Sequence, residues 1–277
     1  MLFLHVGLHK TGTTYLQTAV FPYLGGVHYL RNLTVENFLR QDPDADCLVS
    51  REGFSGPALG NQAEKLAFLR RLSGMFPDAQ VLISFRRHAS YVNALYSQYL
   101  RYGGTLPLQE FFSLDTNASF LATADIEFTP YIEAAHENWG RPPFVFLLSE
   151  IKEQPERLRS DLGRLLGHEP PAFSPAKRAS KNASLGARQA ETLRRLNSLF
   201  RTRLHRDSQT RPYRVLRRVG LDPPHLCQRW SAIAAGRPIM DSGLAERINQ
   251  YYADDWAAVE QNVKTRLRHV QPSERDR

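Results

Sequence analysis

Cysteine is scarce: Cys47 and Cys227 are the only two in 277 residues, and they are too far apart to suggest a disulfide framework or the paired spacing of a zinc site. A reducing compartment is therefore expected. No run of about 18 apolar residues occurs, so no membrane-spanning helix is expected. The opening MLFLHVGLHK lacks the basic lead and long apolar stretch of a secretory signal, and the chain reads as soluble and cytoplasmic. The sequons at Asn32, Asn117 and Asn182 would then meet no glycosylation machinery. Internal repeats are lacking too. No nucleic-acid-binding motif or aromatic ladder accompanies the basic residues, which argues against a nucleic-acid partner.

Positive charge is plentiful. Thirty-six Lys and Arg stand against 28 Asp and Glu, a formal charge of +8 that suits an anionic ligand or acceptor. The stretch RTRLHRDSQTRPYRVLRR, Arg201 to Arg218, is nearly free of acid. It could line a cleft for an anionic glycan, make peripheral contact with an anionic membrane surface, or simply be a solvated basic face.

Short apolar runs alternate with helical patterns. Leu2–Val6 reads as a strand that stops at glycine, followed by a helix over Thr13–Leu24. Cys47–Ser50 reads as a short strand ending in the polar turn REGFSG, Glu64–Phe76 as a helix, and Gln80–Arg87 as a strand buried on both faces. Helices over Tyr91–Tyr102 and PYIEAAHENW, a strand over Phe144–Ser149, and a helix stopped by Gly167 complete the pattern. This alternation predicts an α/β, P-loop-like three-layer fold with a mainly parallel central sheet flanked by helices, and ligands at the carboxyl ends of the strands. A single domain over 1–270 is expected, with a basic helical part from about 186 and a loose tail over 271–277. That last part carries helices over Leu185–Phe200 and from Ser242 to about Val263.

The stretch VGLHKTGTT, Val6 to Thr14, combines a feature that is present with one that is missing. Gly7 and Gly12 keep the glycine spacing of a nucleoside-triphosphate loop, yet Thr13 occupies the lysine slot and the lysine stands at Lys10. Amides of a glycine turn that opens a helix face an anion, and Thr11, Thr13 and Thr14 add hydroxyls. A lysine in mid-loop addresses a different oxygen from the usual one, such as that between a phosphate and its leaving partner. No apolar strand ends in an aspartate placed to hold magnesium: VLISF runs into Arg86 and FVFLLS into Glu150. No metal site is expected.

GLHKTGTTYLQ resembles the 5′-phosphosulfate loop of sulfotransferases, and more narrowly of the bacterial, carbohydrate-type members. The resemblance implies transfer of a sulfuryl group from 3′-phosphoadenosine 5′-phosphosulfate to a hydroxyl or amine, on a glycan or glycolipid, without metal. It implies that Lys10 contacts the bridging oxygen while Gly12, Thr13 and Thr14 hold the 5′-phosphate. In FRRHASYVNALYSQY it makes Arg86 the 3′-phosphate arginine and Tyr96 the following tyrosine, but Ala94 stands where a serine is expected, leaving Ser90 or Ser97 as substitutes. In KRASKNASLG it brings in Lys181, Asn182 and Ser184, whose alternative role is to cap the next helix. It makes Glu52, in LVSREGFSG, the base that takes the acceptor proton, with Arg51 steering an anionic acceptor. His9, beside Lys10 and with an ordinary pKa near neutrality, is the rival base. A P-loop kinase would need a magnesium carboxylate that the sequence does not offer, and a non-enzymatic nucleotide-binding protein on the same fold is the remaining alternative.

Overall fold

The computed structural model describes residues 1–31, 34, 36–37, 45–116, 118–167, 185–199, 204, 226–227 and 237–268. Lys181, Asn182 and Ser184, the 271–277 tail, and Arg201–Arg218 apart from Leu204 lie outside the described residues.

Five strands form one sheet: β1 Leu2–His5, β2 His28–Leu30, β3 Cys47–Ser50, β4 Gln80–Phe85 and β5 Phe144–Leu147. They lie in the order β2-β3-β1-β4-β5, every pair parallel, with helices flanking them. Continuous apolar runs suit strands covered on both faces, and all four residues of β3 and of β5 are buried. The short edge strand β2 was not expected from the sequence. Its three residues, with His28 exposed, are too few for a periodic signal.

The helix expected over Thr13–Leu24 is not uniform. It begins as α1 Thr13–Tyr15, widens to a π turn over Leu16–Val20 and tightens to a 3-10 turn over Phe21–Tyr23. Pro22 explains the change, since its ring removes a donor and clashes with the carbonyl four residues back. After the 3-10 turn Glu52–Ser55 come α2 Gln62–Met75, α3 His88–Arg101 and α4 Leu108–Phe111. Helix α5 is Thr129–Trp139. Strand β5 stops two residues before the expected Ser149 because α6 Leu148–Glu153 starts there, with the Glu150 carboxylate accepting the Leu147 amide at 2.8 Å. Helix α7 Pro155–Leu166 opens on proline and ends at Gly167, whose φ of 69° supplies the left-handed stop expected of it. Then come α8 Ala187–Leu199, α9 Ser242–Tyr251 and α10 Ala253–Thr265. The last two were expected as one helix; they part at Tyr252, where the chain passes from one compact unit to another.

The first unit comprises Met1–Arg87, Glu127–Ser180 and Tyr252–Arg277 and contains the whole sheet. Phe3, Leu16, Phe21, Leu48, Leu82, Phe144 and Phe146 fill its core. The buried Arg266 guanidinium donates to the Val145 carbonyl at 3.1 Å, to Glu150 at 3.0 Å and to Asp161 at 2.5 Å, and lies over the Phe144 ring. Asp255 of α10 accepts the Phe128 and Thr129 amides at 2.9 and 2.8 Å and so caps α5. Asp255→Ala is expected to lower unfolding stability by about 1–2 kcal/mol, read as a shift in the urea midpoint at unchanged slope.

The second unit, His88–Ile126 and Lys181–Tyr251, carries α3, α4, α8 and α9 and, among its described residues, none of the five strands. Asn197 of α8 donates to the Leu100 and Gly104 carbonyls, both at 2.8 Å, and Asn249 of α9 caps α3 at the Ala89 amide. Tyr96, Tyr99, Phe111 and Phe120 pack ring to ring. Across the described residues of both units, no helix is long and apolar enough to cross a membrane.

Candidate functional site

Strand order reverses about β1, which has β3 on one side and β4 on the other, so the crevice at its carboxyl end is where an open α/β sheet binds ligands. The VGLHKTGTT loop starts there. Gly7 is required by close approach: a Cβ would overlap the Thr13 hydroxyl and meet the His5 ring. Gly12 is required by its φ of 97°, and a Cβ there would also displace the tip of the Leu148 side chain. Between them Lys10 has φ 70°, the only non-glycine positive φ among the described residues. A left-handed lysine is strained by about 1–2 kcal/mol, and strain of this kind gathers where a ligand must be met.

The three threonines take different positions. Thr14 is exposed at the start of α1. The Thr13 side chain is buried, and its hydroxyl has no hydrogen-bond partner within the protein. The Thr11 hydroxyl is wholly inside and donates to the Leu8 carbonyl at 2.6 Å. Of the three hydroxyls, those of Thr13 and Thr14 are the ones not used to hold the loop to itself, while the Tyr15 amide is bonded to the Gly12 carbonyl at 2.9 Å.

Lys10, His9, Glu52 and Arg86 all belong to the first unit, at the ends of β1, β3 and β4. The Arg86 guanidinium donates to the Lys10 carbonyl at 3.4 Å, and burial pulls its pKa down, a penalty that an arriving anion would relieve. Glu52 starts the 3-10 turn after β3, and Ser55 ties that turn to the loop by donating to the Gly7 carbonyl at 3.0 Å. Burial raises the pKa of Glu52, and the Lys10 ammonium partly offsets the rise. His9 does not keep the near-neutral pKa expected of it. Burial, with the charges of Lys65 and Lys10, pushes it down to about 4.

Lys65 was missed by the sequence reading. Helix α2 buries Lys65, Leu69, Leu72 and Ser73, so a lysine stands on its inner stripe and its charge is felt at His9. The signal was there, in a lysine four residues before a core leucine. Arg51 is exposed, and Arg87 lies over the Trp256 ring at 5.0 Å. The residues that follow Arg86 in the resemblance lie in the second unit. There Ala94 is buried, Ser97 donates to its own helix at Asn93, and Tyr96 donates to the Leu106 carbonyl at 3.1 Å. Burial raises the Tyr96 pKa to about 12.

Among the described residues no group of three or more His, Cys, Asp or Glu could hold a metal ion. Compared with protein-family models, curated proteins and solved structures, the chain matches none of them.

Proposed function

We propose that the chain is a sulfotransferase that moves a sulfuryl group from 3′-phosphoadenosine 5′-phosphosulfate to a hydroxyl or amine, with a glycan or glycolipid as the acceptor class. One observation carries the reading: Lys10, displaced to mid-loop and held left-handed, is electrostatically coupled to the Glu52 carboxylate on one side and bonded through its carbonyl to Arg86 on the other. A cation for the leaving group, a base for the acceptor and a guanidinium for the nucleotide thus share one strand-end crevice. The unpartnered Thr13 hydroxyl and the glycine turn fit an anion's oxygens.

In this reading the acceptor oxygen attacks sulfur and the bond from sulfur to the bridging phosphate oxygen breaks. The acceptor proton passes to Glu52, and Lys10 stabilises the negative charge that develops on the departing phosphate. Glu52 is the better placed of the two bases, because its affinity for a proton is raised and that of His9 is lowered. The net charge of +8 favours an anionic acceptor.

Calorimetric titration with 3′-phosphoadenosine 5′-phosphate, in the absence of metal, tests the donor site. Wild type is expected to bind, and Arg86→Ala to bind about tenfold to a hundredfold more weakly. Failure to bind, with magnesium–ATP bound instead, would overturn the reading in favour of a kinase.

A further inference from the structure

His5 ends β1 inside the core, wholly buried, its ring against Phe21 and Phe146. Its Nδ1 lies 2.8 Å from the Ser50 hydroxyl, at the end of β3, and its Nε2 3.4 Å from the Ser84 hydroxyl in β4. Ser84 continues to the Thr11 hydroxyl at 2.8 Å, and Ser50 to the Gln17 side-chain amide at 3.2 Å. These are the segments that carry the candidate site: Ser50 precedes Glu52 by two residues, Ser84 precedes Arg86 by two, and Thr11 follows Lys10.

The proton on every link is determined, because both ends of the chain rest on carbonyls, which only accept. Thr11 donates to the Leu8 carbonyl, so its oxygen must accept from Ser84. Ser84 has then used its proton, and its oxygen must accept from His5 Nε2–H. At the far end Gln17 donates its amino group to the Ser50 carbonyl at 2.9 Å and to the Ser50 hydroxyl oxygen, leaving the Ser50 proton for His5 Nδ1. Burial lowers the His5 pKa to about 3, so the ring stays neutral and Nδ1 remains an acceptor.

We propose that His5 is a positioning residue, fixed as its Nε2–H tautomer, in a one-way hydrogen-bond chain running Gln17 to Ser50 to His5 to Ser84 to Thr11 to the Leu8 carbonyl, and that this chain sets the Lys10 loop in register with the Glu52 and Arg86 segments. The chain consumes the Thr11 hydroxyl, which makes Thr11 an internal brace of the loop. Its value to catalysis rests on the sulfotransferase reading; its existence does not.

Two readouts on the full-length protein decide the matter without nucleotide. Long-range proton–nitrogen correlation on histidine-labelled protein at neutral pH is expected to show His5 protonated at Nε2 alone, its signals assigned by their loss in His5→Gln. Hydrogen exchange is expected to quicken about fivefold to tenfold at the Thr11, Tyr15 and Leu16 amides, which are bonded to the Leu8 and Gly12 carbonyls, in His5→Leu and in Ser84→Ala, while α7 and β5 keep their protection. His5→Gln, whose amide can donate to Ser84 and accept from Ser50, is expected to restore most of that protection. A space-filling role would instead make leucine the better replacement. The Nδ1–H tautomer, or loop exchange unchanged in both His5→Leu and Ser84→Ala, would overturn the proposal. If wild type bound no nucleotide, the sulfotransferase reading would fall while tautomer and exchange still decided this one.

Discussion

On the sulfotransferase reading proposed above, Lys10→Gly is expected to slow sulfuryl transfer by about 10²–10³ while leaving the protein as stable as wild type or slightly more so. In the proposed mechanism the activity loss follows from removing the cation that would meet charge developing on the leaving phosphate, in a partly buried site where water replaces it poorly. The stability result follows from the φ of 70° at Lys10. Glycine relieves a left-handed strain of about 1–2 kcal/mol and gives back about 0.5–1 kcal/mol through its greater freedom in the unfolded chain. Lys10→Ala keeps the strain and should lose the same activity without the relief. Single-turnover assays with labelled donor and thermal melts of both variants check the pair. Equal activity in Lys10→Gly and wild type would remove lysine from the chemistry, and a glycine variant markedly less stable than alanine would show that the left-handed backbone is not strained.

Much of the frame was legible because parallel strands buried on both faces leave continuous apolar runs. Cys47–Ser50 was read to the residue, and Gln80–Phe85 and Phe144–Leu147 to within two residues at their carboxyl ends. The loop was legible because its glycines answer local demands, a left-handed φ at Gly12 and close approach at Gly7. What escaped depends on neighbours distant in sequence. β2 is too short for a pattern, and its place at the sheet edge comes from pairing with β3. Lys65 reads as one more surface charge until its helix is rotated onto Leu69 and Leu72. His5 is a polar residue in an apolar run, and its partners at Ser50 and Ser84 are 45 and 79 residues away. Its meaning appears only when three strand ends meet. The near-neutral pKa expected of His9 failed for the same reason, since Lys65, which helps to lower it, comes from another element.

If Glu52 is the general base, as proposed above, Glu52→Gln is expected to slow transfer by about 10²–10⁴, the range for loss of a positioned general base. It should also alter two pH dependences, and their signs separate Glu52 from His9. Burial raises the Glu52 pKa in the folded protein, so the folded state holds the proton more tightly than the unfolded chain does. The stability this contributes is fully present below the ordinary carboxylate pKa and is lost as pH rises through the raised value. Glutamine, a neutral mimic, escapes that loss. Thermal melts should therefore place Glu52→Gln above wild type at neutral pH, with the two curves converging as pH falls through the carboxylate range. In the proposed mechanism activity runs the other way: the base must be ionised, so the wild-type rate should climb with pH through that same raised pKa, and the climb should vanish in the glutamine variant. If His9 were the base, Glu52→Gln would retain most of the rate, and the acid limb would stay in place near pH 4, where burial and the neighbouring lysines hold the His9 pKa.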